Sequence, residues 1–215
     1  DKLSNVTIRM DRKLDVIQNY TYDRLNRVTN AYTDSKNDTS HLNYQYDSIG
    51  NMIYKSDIGH YEYNNSPHQV TRAGSRTYQY DQNGNQTLNN GTTINYTSFN
   101  KPSRIVSPND TIDFSYDTNK NRYKKETSKY TTTYIDKSYE KTLFKDGQKE
   151  DKYFIYADGK VVSIYTNKYD ASNTLTPTTK YLHYDSLNSV DTITNNLGVV
   201  ESRVAYKPFG QRLSL

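Results

Sequence analysis

The segment Tyr78-Gln79-Tyr80-Asp81-Gln82-Asn83-Gly84-Asn85 recurs in altered form from one end of the chain to the other, and that recurrence restricts the fold more than any other property. Tyr78 and Tyr80 stand two apart, so on a strand both rings emerge on the same face. Asp81 suits the opening of a type I turn because its carboxylate can accept hydrogen bonds from the turn's own amides. Gly84 supplies the left-handed backbone required three residues later. Strand, turn and return strand are thus encoded locally.

The pair "aromatic or apolar, any residue, Tyr" appears as Tyr20/Tyr22, Tyr44/Tyr46, Tyr61/Tyr63, Tyr78/Tyr80, Ile94/Tyr96, Phe114/Tyr116, Phe154/Tyr156, Leu182/Tyr184 and Val204/Tyr206. Between Tyr46 and Tyr116 the second tyrosines fall at intervals of 17, 17, 16 and 20 residues, each about enough for two short strands and two turns. Asp and then Gly or Asn follow at Asp23 to Asn26, Asp47 to Gly50, Asp81 to Gly84 and Asp185 to Asn188. Gly and Asn alternate there because both tolerate positive φ. Asp117 to Lys120 departs from the rule, so that hairpin is expected either to be strained or to turn one residue later, at Asn121. So many copies predict an all-β chain, an elongated or spiralling array of antiparallel hairpins in preference to a sandwich or barrel.

Hydrophobic residues make up only 33% of the 215, a value that would suggest disorder were 23 residues not Tyr. A Tyr ring buries a large apolar area while its hydroxyl reaches water or a neighbouring strand. The expectation is a thin wall with tyrosines in rows along one face, not a dense aliphatic core. Net charge is only +4. The main basic cluster, Arg122-Tyr123-Lys124-Lys125 with Lys120 and Lys129, reads as an edge strand guarded by lysines and not as a nucleic-acid site. There is no Cys, no run of transmembrane length, and no signal-peptide pattern at Asp1-Lys2-Leu3-Ser4.

Along the chain, Val6/Ile8/Met10 and Leu14/Val16 flank Asp11-Arg12-Lys13 as a first hairpin. The joins Asn64-Asn65-Ser66-Pro67 and Asn89-Asn90-Gly91 serve as opposite turns, and a decayed unit is expected near Tyr134 to Tyr139. Strands are expected at Thr131 to Ile135 and Tyr139 to Phe144, closed by Asp146-Gly147, and at Val161 to Tyr165, the last mostly buried. Lys168 to Thr179, poor in apolar residues and containing Pro177, reads as an extended loop. The Asn-x-Ser/Thr sequons at Asn5, Asn19, Asn37, Asn64, Asn85, Asn90, Asn95 and Asn109 are what a chain rich in Asn, Ser and Thr produces by composition.

The last section, from Tyr181-Leu182-His183-Tyr184-Asp185 to Tyr206-Lys207-Pro208-Phe209-Gly210, resembles the RHS repeat-associated core signature. His183, Asp185, Leu187, Ser189, Gly198, Val199, Val200, Tyr206, Pro208, Phe209 and Gly210 match it in order, whereas Ser186, Asn188 and Lys207 depart from it. The upstream units, with Tyr22-Asp23, Tyr46-Asp47, Gly50, Tyr80-Asp81, Gly84 and Tyr116-Asp117, are similar to the YD repeats of the same family. The resemblance divides the chain into a hairpin array over 1–180 and a core segment over 181–215. It implies a strip of sheet spiralling into a hollow shell, as in bacterial polymorphic toxins, the cocoon subunit of insecticidal Tc toxins and teneurins. In bacterial members such a shell encloses a toxic C-terminal polypeptide, often released by an aspartyl self-cleavage activity downstream of the Pro-Phe-Gly segment. The present stretch is accordingly expected to be a piece of a longer protein, with neither protease nor toxin within it.

His183 and Asp185 are two apart, which invites a metal or acid–base reading. Zinc needs three or four ligands and His41, His60 and His68 have no metal-ligand spacing, so a structural hydrogen bond within the turn is the preferred reading. No Gly-x-Ser-x-Gly, His-Glu-x-x-His or phosphate-cradling loop occurs, and no cofactor is expected. The sequence therefore points to a non-enzymatic shell segment whose partners are the rest of its parent chain and an enclosed C-terminal effector, with toxin-complex subunits as further partners and a secreted or cell-surface bacterial location. The alternative is a surface module whose tyrosines stack on glycans or on a partner protein.

Overall fold

A computed structural model describes residues 1–64 and 66–213; Asn65 of the join at 64–67 and the final Ser214 and Leu215 lie outside the described residues. The chain forms two compact units, one of residues 1–78 with 203–215 and one of residues 79–202. All strand pairings with a defined register are antiparallel, and the described residues contain no α-helix.

The strands of the first unit are β1 (Ile8–Asp11), β2 (Val16–Tyr22), β3 (Val28–Asp34), β4 (Ser40–Tyr46), β5 (Met52–Lys55), β6 (Gly59–Glu62), β7 (Arg72–Ala73) and the start of β8 (Arg76–Tyr80), which belongs to this unit up to Tyr78. Each pairs with the next in sequence, as local turns dictate. The expected first hairpin is β1–β2, whose turn is held by the Asp11 carboxylate accepting the amides of Lys13 and Leu14. Among the described residues β1 takes its register from β2, and Val6, Ile8 and Met10 beside it are all at least half exposed. The buried apolar residues are few: Ala31, Leu42 and Tyr44 form one cluster, and Val16 joins Ala205 and Leu213 in another.

The second unit continues with β9 (Gln86–Asn89), β10 (Thr92–Tyr96), β11 (Pro102–Val106), β12 (Thr111–Tyr116), β13 (Arg122–Glu126) and β14 (Tyr130–Ile135). It ends with β15 (Tyr139–Phe144), β16 (Lys149–Ala157), β17 (Lys160–Tyr169), β18 (Leu175–Tyr184), β19 (Val190–Asn195) and β20 (Val200–Arg203). Among the described residues, substantial contacts between strands join those that follow one another. With no second layer laid over it, such a sheet cannot bury either face fully. Apolar stabilisation is therefore spread over half-buried rings and aliphatics instead of a core.

Four expectations need correcting. Lys168 to Thr179 is not a loop: β17 and β18 make the longest hairpin, turning at Asp170 to Thr174. Pro177 fits because Leu175 to Thr179 pair with β17 only, β19 joining from Lys180 onward, so its missing N–H lies at an open edge. The basic strand β13 is not an edge, since it pairs with both β12 and β14. Its cations are engaged: Arg122 stacks 4.4 Å from the Tyr134 ring centre, and Lys124 pairs with Glu126 at 2.7 Å. Val161 to Tyr165 is half-buried, with Ser163 its only buried residue. Finally, tyrosines line both faces, Tyr139, Tyr153 and Tyr165 on one and Tyr130 and Tyr134 on the other, as strand alternation about their registers requires. The junction at 180–181 falls inside β18.

Candidate functional site

The aspartate turn recurs with one geometry. The Asp81 amide donates to the Asn85 carbonyl at 2.9 Å and the Gly84 amide to the Asp81 carbonyl at 3.1 Å. One Asp81 carboxylate oxygen accepts the amides of Asn83 and Asn85, and the other accepts the Asn85 side chain, all at 2.9 Å. Asp47 repeats this with Ile49 and Asn51, Asp23 with Leu25 and Arg27, and Asp185 with Leu187 and Ser189. Hydrogen bonds that favour the charged form hold the carboxyls of Asp23, Asp47 and Asp81 low. For Asp81 the Asn85 side chain leads and for Asp23 the Arg27 amide, while at Asp47 a desolvation that raises the pKa is outweighed by the Asn51 amide and side chain with help from neighbouring amides.

The left-handed position is Asn26 (φ 61°), Gly50 (96°), Gly84 (83°) and Asn188 (64°), as the repeats predict. At Asp117 the turn does not move to Asn121: Lys120 takes φ 62° and its amide donates to Asp117, so the strained alternative holds. Sequence reading missed three further turns of this kind, at Thr97 to Asn100, Asp170 to Asn173 and Asn195 to Gly198. The signal was present, an oxygen-bearing side chain three residues before Asn or Gly, but Thr97 and Asn195 are not aspartates and Asp170 follows no tyrosine pair of the repeat.

In seven of the nine pairs the second tyrosine has a specific task. Its hydroxyl donates to a backbone carbonyl of an earlier segment: Tyr22 to Val6 (2.7 Å), Tyr46 to Val28 (2.9 Å), Tyr63 to Met52 (2.8 Å) and Tyr96 to Gln86 (2.9 Å). Tyr116 reaches Pro102 (2.7 Å), Tyr156 reaches Lys137 (2.9 Å) and Tyr184 reaches Val161 (2.6 Å). Tyr80 ends β8 immediately before the Asp81 turn. The register slips just before Tyr22, Tyr46, Tyr96, Tyr116, Tyr156 and Tyr184. A bulge re-aims the side chain next to it, which turns each ring back along the strip so that one hairpin is latched to its predecessor. Burial raises the pKa of Tyr46 and Tyr116, keeping the phenols protonated and able to donate.

Left-handed asparagines add lateral ties. Asn26 Oδ1 accepts from Asn5 at 2.9 Å, Asn100 Oδ1 from Asn85 at 2.9 Å, and Asn173 Oδ1 from Lys149 at 3.2 Å. Asn188 Oδ1 accepts from Lys160 in the same way. Asn at this position therefore does something Gly cannot.

The terminal signature is divided between the units. His183, Asp185, Leu187, Ser189 and Gly198 lie in the second, while Tyr206, Pro208, Phe209 and Gly210 lie in the first. His183 bonds Thr194 across β18 and β19 at 3.0 Å while Asp185 caps its own turn, so this histidine bond is not within the turn. In the first unit, residues 203–213 fold back over β2 to β4. Tyr206 bridges Arg212, and the amides of Lys207 and Gly210 close a turn in which Phe209 has φ 65°. Gln18 donates to the Tyr206 carbonyl at 3.1 Å, Lys207 pairs with Asp38 at 2.9 Å, and Phe209 lies 5.2 Å from the Tyr44 ring centre. Lys207, one of the departures from the RHS signature, thus anchors the segment, and Ala205 and Leu213 pack on Val16 beneath it.

Asp-capped, tyrosine-latched hairpins repeated in sequence define an all-β antiparallel hairpin array. No family model and no curated protein matches the chain. Among solved structures, the crystal structure of TcdB2-TccC3-TEV is similar at a TM-score of 0.48 and 15% identity, over 92% of this chain and 15% of that one.

Proposed function

We propose that the chain is a wall segment of an RHS-type β-shell, acting by confinement and not by catalysis. What supports the reading is the tyrosine latch: a hydroxyl anchored on a backbone carbonyl of an earlier segment gives the strip cohesion between hairpins without a core. The seated terminal segment adds a second element, since Lys207, Phe209 and Leu213 tie the Pro-Phe-Gly turn onto the array. In this reading the rest of the parent chain completes the wall, an effector occupies the interior, toxin-complex subunits dock outside, and the assembly works outside the producing cell. The test is protease resistance of the complete parent protein. Any polypeptide following residue 215 should survive a digestion that destroys the same polypeptide expressed alone. Equal digestion of both would refute confinement.

A further inference from the structure

On one face of β15 to β17, Tyr139, Tyr153 and Tyr165 stand opposite one another in register. Their ring centres are 5.0 and 5.9 Å apart and their planes are tilted by 48° and 37°. No latch uses these rings, and Tyr153 is 41% exposed. Ile135 on β14 continues the row past Tyr139, and Ile155 on β16 borders it on one side, each at least half exposed. On the other, Lys141 faces Asp151 directly across the strands, yet the two form no ion pair. Asp151 is turned instead toward the row, where it accepts the Tyr139 hydroxyl at 2.6 Å, leaving its second oxygen and the Lys141 ammonium without a hydrogen bond among the described residues. A ring row with an acceptor and a donor at its edge is an amphipathic platform.

We infer that Tyr139, Tyr153 and Tyr165, with Asp151 and Lys141 at their edge, form a binding platform for a single neutral glycan chain. A pyranose ring presents a face of C–H groups to the electron-rich face of an aromatic ring and hydroxyls at its rim, which matches rings inside and a carboxylate and ammonium outside. Strands of nucleic acid also stack on aromatic rows, but they require a positively charged groove. Here Lys141 is balanced by Asp151, and Lys149, two residues farther along β16, is held by Asn173, so the edge complements an uncharged ligand. Rings tilted by 48° and 37° to one another suit one flexible chain over a flat crystalline surface. This inference goes beyond the wall reading and does not depend on it.

The test titrates the chain with cellohexaose, chitohexaose and maltohexaose, and with oligothymidylate, by calorimetry and by tyrosine emission, which is unobscured because the chain has no Trp. Saturable binding of at least one hexasaccharide is expected, weakened tenfold or more in Tyr153→Ala, retained in Tyr153→Phe, and unchanged in Tyr123→Ala on β13. Tyr153→Thr, which suits a strand, repeats the loss where Tyr153→Ala melts early by circular dichroism. Absence of saturation with all three hexasaccharides, equal affinity in the ring-deleted variants, or binding of oligothymidylate alone would overturn the inference.

Discussion

Replacing a latch tyrosine by phenylalanine removes one oxygen atom and keeps the ring, so it isolates the hydroxyl bond from aromatic packing. In Tyr46→Phe and Tyr116→Phe the lost bonds, to Val28 at 2.9 Å and Pro102 at 2.7 Å, are partly buried. A typical intramolecular hydrogen bond contributes about 0.5–1.5 kcal/mol net, and a buried carbonyl left unpaired adds a further desolvation cost, so about 1–2 kcal/mol is expected at each site. The Tyr22 and Tyr156 bonds, to Val6 and Lys137, are exposed. There water replaces the phenol, and Tyr22→Phe and Tyr156→Phe should each cost under about 0.5 kcal/mol. Urea unfolding followed by circular dichroism reads the difference. With a slope of about 2–3 kcal/mol per molar, the two partly buried sites should lower the midpoint by roughly 0.3–1 M, and the slope itself should stay constant. Tyr46 and Tyr116 belong to different units, so each unit is tested separately. Unchanged midpoints in Tyr46→Phe and Tyr116→Phe, or an equal loss in Tyr22→Phe, would show that the hydroxyls do not hold the hairpins together.

Lys120→Gly should raise stability by about 0.5–1 kcal/mol in thermal unfolding, because the relief of a left-handed non-glycine residue exceeds the loss of the exposed ammonium 5.6 Å from the Phe99 ring centre. Gly74→Ala should destabilise by about 3 kcal/mol or more and be visible as a large midpoint loss, since the new Cβ would meet the Ile58 carbonyl oxygen at 2.0 Å. The carboxyls of Asp23, Asp47, Asp81, Asp110 and Asp170 all lie below their ordinary value. Their contribution is complete above the unfolded value of about 3.9 and is lost as pH falls through it toward the lower folded values. Denaturant midpoints should therefore fall steeply below about pH 4, and Asp81→Asn should flatten that dependence.

The turns and their order were legible because each is decided within five residues. Asp81 accepts amides two and four positions ahead, and Gly84 or Asn188 satisfies a φ that few residues tolerate. The antiparallel hairpin array follows directly from repeating that local solution. The carbonyl each tyrosine reaches was not legible, because Tyr184 to Val161 spans 23 positions and depends on a bulge one residue earlier. Pro177 misled for a related reason: a proline excludes a strand only where its N–H would be used, and which edge stays open is a tertiary fact. The charges of β13 misled because a charge on a strand marks an edge only if nothing beside it receives it; here the Tyr134 ring of β14 receives Arg122, and Glu126 of β13 itself receives Lys124.

Among the described residues β1 takes its register from β2 on one side, and beside it Val6, Ile8 and Met10 are at least half exposed. Backbone donors and acceptors in a row, next to a greasy margin, are a template onto which any extended polypeptide can zip. Growth from that border needs no new architecture, only another copy of the same hairpin, so the number of rungs is a quantity that duplication can raise or lower without redesigning the rungs already in place. The same openness carries a handling consequence: sedimentation of the isolated strip should shift with concentration until the border is covered, and a charge at Ile8 should suppress the shift.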